Sequence, residues 1–85
     1  VNKIDFKKYF GLRTKMDTVE WVIRYDIVNI KTNLVYTYHV GSVIVSIYDG
    51  NNNQFTGKVD KVLEELAEYY PDDTYRIVWT IVRKI

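Results

Sequence analysis

Cysteine is absent from this chain of 85 residues, proline occurs once and histidine once. Without cysteine there is no disulfide, no thiolate nucleophile and no cysteine-based zinc site. Small secreted domains usually depend on disulfides, so their absence favours a cytoplasmic protein. No apolar run approaches the roughly 20 residues that span a bilayer, and no membrane partner is expected. The opening residues, VNKIDFKKYF, mix charge with aromatic rings and do not read as a signal peptide. Catalytic equipment is equally sparse. His39 is the sole histidine and lies mid-strand. No serine or threonine has an evident base beside it. Asp17 with Glu20 and Asp72 with Asp73 sit beside turns, where a carboxyl stays solvated, whereas acid–base work needs a drier place. The expectation is a chain that is not an enzyme, with no cofactor and no metal.

What is present is an ordinary globular balance of 47% hydrophobic and 27% charged residues, enough for one core. Residues 1–85 therefore read as a single domain. Aromatics are abundant at 15%, and eight of them are tyrosines, which pack as rings but carry a hydroxyl that needs a partner or water. Net charge is only +1 but unevenly spread. Lys3, Lys7, Lys8, Arg13 and Lys15 crowd the first fifteen residues. Asp60, Glu64, Glu65, Glu68, Asp72 and Asp73 outnumber Lys58 and Lys61 further on. The molecule is dipolar rather than basic.

Periodicity outlines the elements. Residues 3–10 place Ile4, Phe6 and Phe10 as a short helix would, ended by Gly11. Residues 19–30 alternate, with Trp21, Ile23, Tyr25 and Ile27 on one face and Arg24 and Asp26 on the other, as in a strand. Lys31, Thr32 and Asn33 make a polar turn. Residues 34–48 are extended, but the apolar positions run Leu34, Tyr36, Tyr38, Val40 and then Val43, Val45, Ile47, one residue out of step. That slip predicts a bulge or tight turn at Gly41–Ser42, within one bent strand or between two. Asp49, Gly50 and the three asparagines after them signal a turn. Val59, Val62, Leu63, Leu66 and Tyr70 follow at helical spacing, with Thr56 as the expected N-cap and Pro71 closing the helix. Residues 74–82 alternate again as a last strand. The fold class is α+β: a small, mainly antiparallel β-sheet of three to four strands, one long amphipathic helix across one face with Trp21 and Trp79 beneath it, and a short N-terminal helix.

One helix cannot cover two faces. The second face displays Val22, Val28, Val78 and Val82 beside Arg24 and Arg76, and Ile44, Tyr48 or His39 join it depending on the bulge. A water-facing sheet surface is normally polar, whereas this one is about half apolar. Either the N-terminal segment covers it through Phe6, Tyr9 and Phe10, or it docks a protein partner or a second copy of the chain. The expected function is a small non-catalytic protein-binding module, with Val22, Arg24, Val28, Tyr48, Arg76, Val78 and Val82 as partner-binding residues and a homodimer as one form. The alternative is single-stranded nucleic-acid binding, in which Tyr36, Tyr38 and Tyr48 stack on bases while Lys7, Lys8, Arg13 and Lys15 meet phosphates.

Asp49, Asn51, Asn53 and Asp60 match part of a calcium loop, but Gln54 stands where glycine is needed and Asp60 where a bidentate glutamate is needed. Gly50 to Lys58 has the wrong spacing for a phosphate loop. Asp26 on its strand is placed to pair with Arg76, or to join Asp49 and Asp60 around a metal in a small hydrolase. The acidic helix face, Glu64, Glu65, Glu68, Asp72 and Asp73, reads first as a solvated surface and second as a phosphate mimic. The texture, rich in Ile, Lys, Asn and Tyr, resembles that of small accessory proteins of phages and mobile elements in low-GC hosts. No motif accompanies it, and it assigns no residue a role.

Overall fold

The computed structural model describes residues 17–85. The short helix expected at residues 3–10 lies outside them, as do Phe6, Tyr9, Phe10, Lys7, Lys8, Arg13 and Lys15. The described elements are β1 (Thr18–Asn29), β2 (Val35–Ser46), α1 (Asn53–Tyr69) and β3 (Tyr75–Lys84). They form a three-stranded sheet in the order β2-β1-β3, antiparallel at both pairings, with one helix on one face: an α+β fold.

The β1–β2 hairpin closes where the polar turn is predicted. The Asn29 side-chain oxygen accepts from the backbone N–H of Lys31 (2.9 Å) and of Thr32 (3.0 Å). Asn33 takes the left-handed conformation at φ 63°, which asparagine tolerates better than most residues.

β2 is one unbroken strand, and its pairing with β1 runs in step through Gly41 and Ser42. The expected bulge there is corrected. The apolar positions change parity because the cover changes. Val43 and Val45 face the helix and are buried, whereas Tyr38 and Val40 face the other way and are exposed. The real irregularities lie elsewhere. Val28 pairs with Val35 while Ile27 pairs with Thr37, leaving Tyr36 as the extra residue. Val22 pairs with Arg83 while Ile23 pairs with Ile81, leaving Val82 as another.

The core gathers Ile23 and Tyr25 of β1, Val43 and Val45 of β2 and Val59 of α1, with Val62, Leu63, Leu66, Phe55, Trp21 and Ile77 packed around them. Burying aliphatic side chains of this size is worth roughly 1.5–3 kcal/mol each. Trp21 and Trp79 both meet Phe55, at ring-centroid distances of 6.1 and 5.9 Å. Trp21 is partly buried, whereas Trp79 is exposed. The helix packs on β2 rather than β3, so Trp79 and Ile81 stay exposed on the same face.

The helix starts earlier than Thr56. Asn52 is the N-cap residue, in the left-handed conformation, and makes no side-chain cap bond. Asp49 supplies the acceptors instead. Its two carboxylate oxygens take the N–H groups of Gln54 and Phe55, each at 3.1 Å, so the helix gains a turn before the threonine. Pro71 ends it as predicted, since proline has no N–H to continue the ladder.

Candidate protein-docking face

Pairing register fixes the sheet surface opposite α1. Arg24 lies between Val40 and Thr80, Asp26 between Tyr38 and Val78, Val28 between Val35 and Arg76, and Val22 between Ser42 and Arg83. At its centre Arg24 Nε donates to Asp26 Oδ1 at 2.7 Å, and the same guanidinium lies 4.1 Å from the Tyr38 ring centroid. The arginine is thus held flat between a carboxylate and an aromatic face while still partly exposed. Around it Val35, Tyr38, Val40 and Ile44 on β2, and Val78 on β3, are each between 42% and 56% exposed, while Val82, the extra residue of the β1–β3 pairing, is 49% exposed. Arg24 and Tyr38 are of the residue types enriched at interface hot spots, and the aliphatic groups around them add apolar surface.

Several expected members of this face stand elsewhere. Val22 and Val28 lie on it but are only 6% exposed, so they offer little area to a partner. Tyr48 is in the turn after β2, outside the sheet. His39 pairs with Tyr25 on the helix side, where its Nε2 is 3.1 Å from the Tyr70 hydroxyl. Ile44 does join the face, opposite Glu20. Arg76 is on the face, but it donates to Asn33 Oδ1 at 2.8 Å and not to Asp26, which Arg24 already holds on the same strand. Asp26, Asp49 and Asp60 do not converge. Among the described residues no three His, Asp or Glu side chains stand close enough to hold a metal ion.

Tyr36 and Tyr38 do not share a platform. The bulge turns Tyr36 to the helix side, where its ring sits 5.3 Å from Tyr75 and 6.5 Å from Tyr70. Tyr38 stays on the opposite face under Arg24. Together with His39 the three helix-side tyrosines form an aromatic cluster at the end of α1. Beside it an open groove of about 440 Å³ runs between α1 and β3, lined by Leu63, Ala67, Tyr70, Tyr75 and Ile77, with Asp72 and Arg76 at its rim. Alternation alone places Tyr36 with Tyr38 and hides this cluster. The available signal is the pair of tyrosines bracketing Pro71, which brings Tyr70 and Tyr75 to the same end of the sheet.

No family model matches the chain, and comparison with curated proteins and with solved structures finds no match. Among the described residues no helix is long and apolar enough to cross a membrane.

Proposed function

We propose that the chain is a non-catalytic protein-binding module that docks its partner on the sheet surface opposite α1. The observation that supports this is the arrangement of exposed aliphatic and tyrosine side chains on β2 and β3 around the clamped Arg24. Arg24, Tyr38, Val40 and Val78 carry the contact, and Val22 and Val28, on the same face, are too buried to contribute much area. The compositional likeness to small accessory proteins of phages gives the role we attach to it, modulation or inhibition of a host protein.

Affinity capture tests this with the wild type beside Tyr38→Ala and Val78→Asp. The partner should be lost from both variants by about tenfold or more in affinity, with their melting transitions retained. A partner held equally by wild type and both variants would rule this surface out. A salt-dependent oligonucleotide titration decides the nucleic-acid alternative, because phosphate contacts weaken steeply as salt rises. That reading has no shared tyrosine platform among the described residues.

A further inference from the structure

We propose that two copies of the chain pair antiparallel along the edge of β2, about a two-fold axis through Val40. The inference uses a strand edge rather than the docking face and does not depend on a foreign partner.

β2 is an outer strand of the sheet, so one side of its backbone faces away from β1. Which residues turn that way is fixed by two contacts from the helix. Lys58 Nζ donates to the Ile44 carbonyl oxygen at 2.6 Å, and the Ser46 N–H donates to Gln54 Oε1 at 3.1 Å. Ile47 instead donates inward to the Asp17 carbonyl oxygen at 2.9 Å. In an antiparallel strand, successive residues direct their backbone groups to alternate sides. The register is unbroken from Thr37 to Ser46, so Tyr38, Val40 and Ser42 present their N–H and C=O groups outward together with Ile44 and Ser46. Gln54 and Lys58, one helical turn apart, close the edge at residues 44–46. No described residue bonds the outward groups of Tyr38, Val40 and Ser42.

That open stretch fits a second copy of itself. With Val40 opposite the partner's Val40, Tyr38 meets the partner's Ser42. Each opposed pair of outward-facing residues exchanges two N–H···O bonds. The pairing uses the unguarded positions and none of the guarded ones. Large side chains fall beside small ones on both surfaces: Tyr38 against Ser42 on the outer face, His39 against Gly41 on the helix side. A Cβ built on Gly41 meets nothing within 4 Å, so that space is open to the partner's imidazole. Residues 32–48 contain no Asp, Glu, Lys or Arg, and self-pairing opposes no like charges. The other outer strand, β3, carries Arg76, Arg83 and Lys84 with no acid, so pairing it with itself would oppose cations.

The cysteine-free chain makes the test direct. In this register the Cα atoms of the two Val40 residues lie about 5.5 Å apart, within disulfide reach. Val40→Cys should cross-link to a dimer under mild oxidation. The two Ile44 residues would be roughly 27 Å apart, and Ile44→Cys should stay uncrosslinked. In sedimentation equilibrium the wild type should run at twice the chain mass. Val40→Pro should run at the chain mass, because proline is tolerated where an edge N–H faces solvent but cannot donate to a neighbouring strand. Should Val40→Pro fail to fold by circular dichroism, the cross-linking pattern and the wild-type mass decide. A wild type that stays at the chain mass, no Val40→Cys cross-link, or equal cross-linking at Ile44 overturns the proposal. An extended foreign peptide on this edge would give the same wild-type result, the chain mass alone. These readings need no partner, so their failure is separate from failure of the docking-face reading.

Discussion

Gly57 occupies the second turn of α1, and a Cβ built there meets nothing within 4 Å. Glycine inside a helix loses more backbone freedom on folding than alanine does. Gly57→Ala should therefore raise the unfolding free energy by about 0.5–1 kcal/mol in urea titration. Asp49 has the opposite character. Its carboxylate is the acceptor for two N–H groups that the helix ladder leaves open, and Asp49→Ala should cost about 1–2 kcal/mol by the same measurement. Tyr25 is 2% exposed, and burial holds its phenol above the ordinary value near 10. Above that value the unfolded chain releases a proton that the folded chain keeps. The contribution of Tyr25 to stability should thus be level below pH 10 and fall as pH rises past it. Denaturant midpoints at successive alkaline pH values check this, and Tyr25→Phe should reduce the fall.

At the level of the element, the two patterns that repetition makes visible are the ones that can be read in advance. The buried stripe of α1 and the alternation of β1 appear in the sequence because each repeats within one element, and both recur in the structure. The start of α1 escapes that reading because its cap comes from Asp49, outside the helix. The position of Tyr36 escapes it because a bulge belongs to a pairing between strands, not to either strand alone. His39 is misplaced because the apparent slip at Gly41 records a change in what covers β2 and no change in its backbone, and Tyr48 because the strand ends at Ser46. The guarding of β2 by Gln54 and Lys58 is likewise a contact between elements. Replacing both by alanine removes two exposed hydrogen bonds, each worth about 0.5–1.5 kcal/mol, and uncovers Ile44 and Ser46. The double variant should lose several degrees or more in melting temperature and, at temperatures where it stays folded, form larger species by light scattering than the wild type. Unchanged particle size would show that the two side chains do not protect the edge.

Across the whole molecule, the single helix leans toward β2, and this asymmetry organises what is left open. One side of the sheet is closed over Ile23, Tyr25, Val43 and Val45. The helix side of β3 is uncovered at Trp79 and Ile81, and the opposite surface is ringed by valines and tyrosine around Arg24. The existence of a second apolar surface follows from having one amphipathic helix and strands greasy on both faces. Its working membership does not, because the central valines are buried and the exposed groups come from the flanking strands. Binding at the proposed docking surface should accordingly be more sensitive to Tyr38 and Val78 than to conservative changes at Val22 or Val28. Parallel binding measurements on Tyr38→Ala and Val28→Ala, each normalised to its folded fraction, check that order.

The unequal treatment of the two sheet borders bears on how far assembly can go. A strand bordered by free backbone on both flanks of a sheet recruits neighbours without end, and the product is a fibre. Here one border repels its own kind through Arg76, Arg83 and Lys84, and the other is bolted at one end by Gln54 and Lys58. The proposed symmetric handshake would consume the open stretch at Tyr38, Val40 and Ser42 of either copy. In the proposed pairing, growth would terminate at two, and so uncharged a border would avoid amyloid-like stacking by saturating itself.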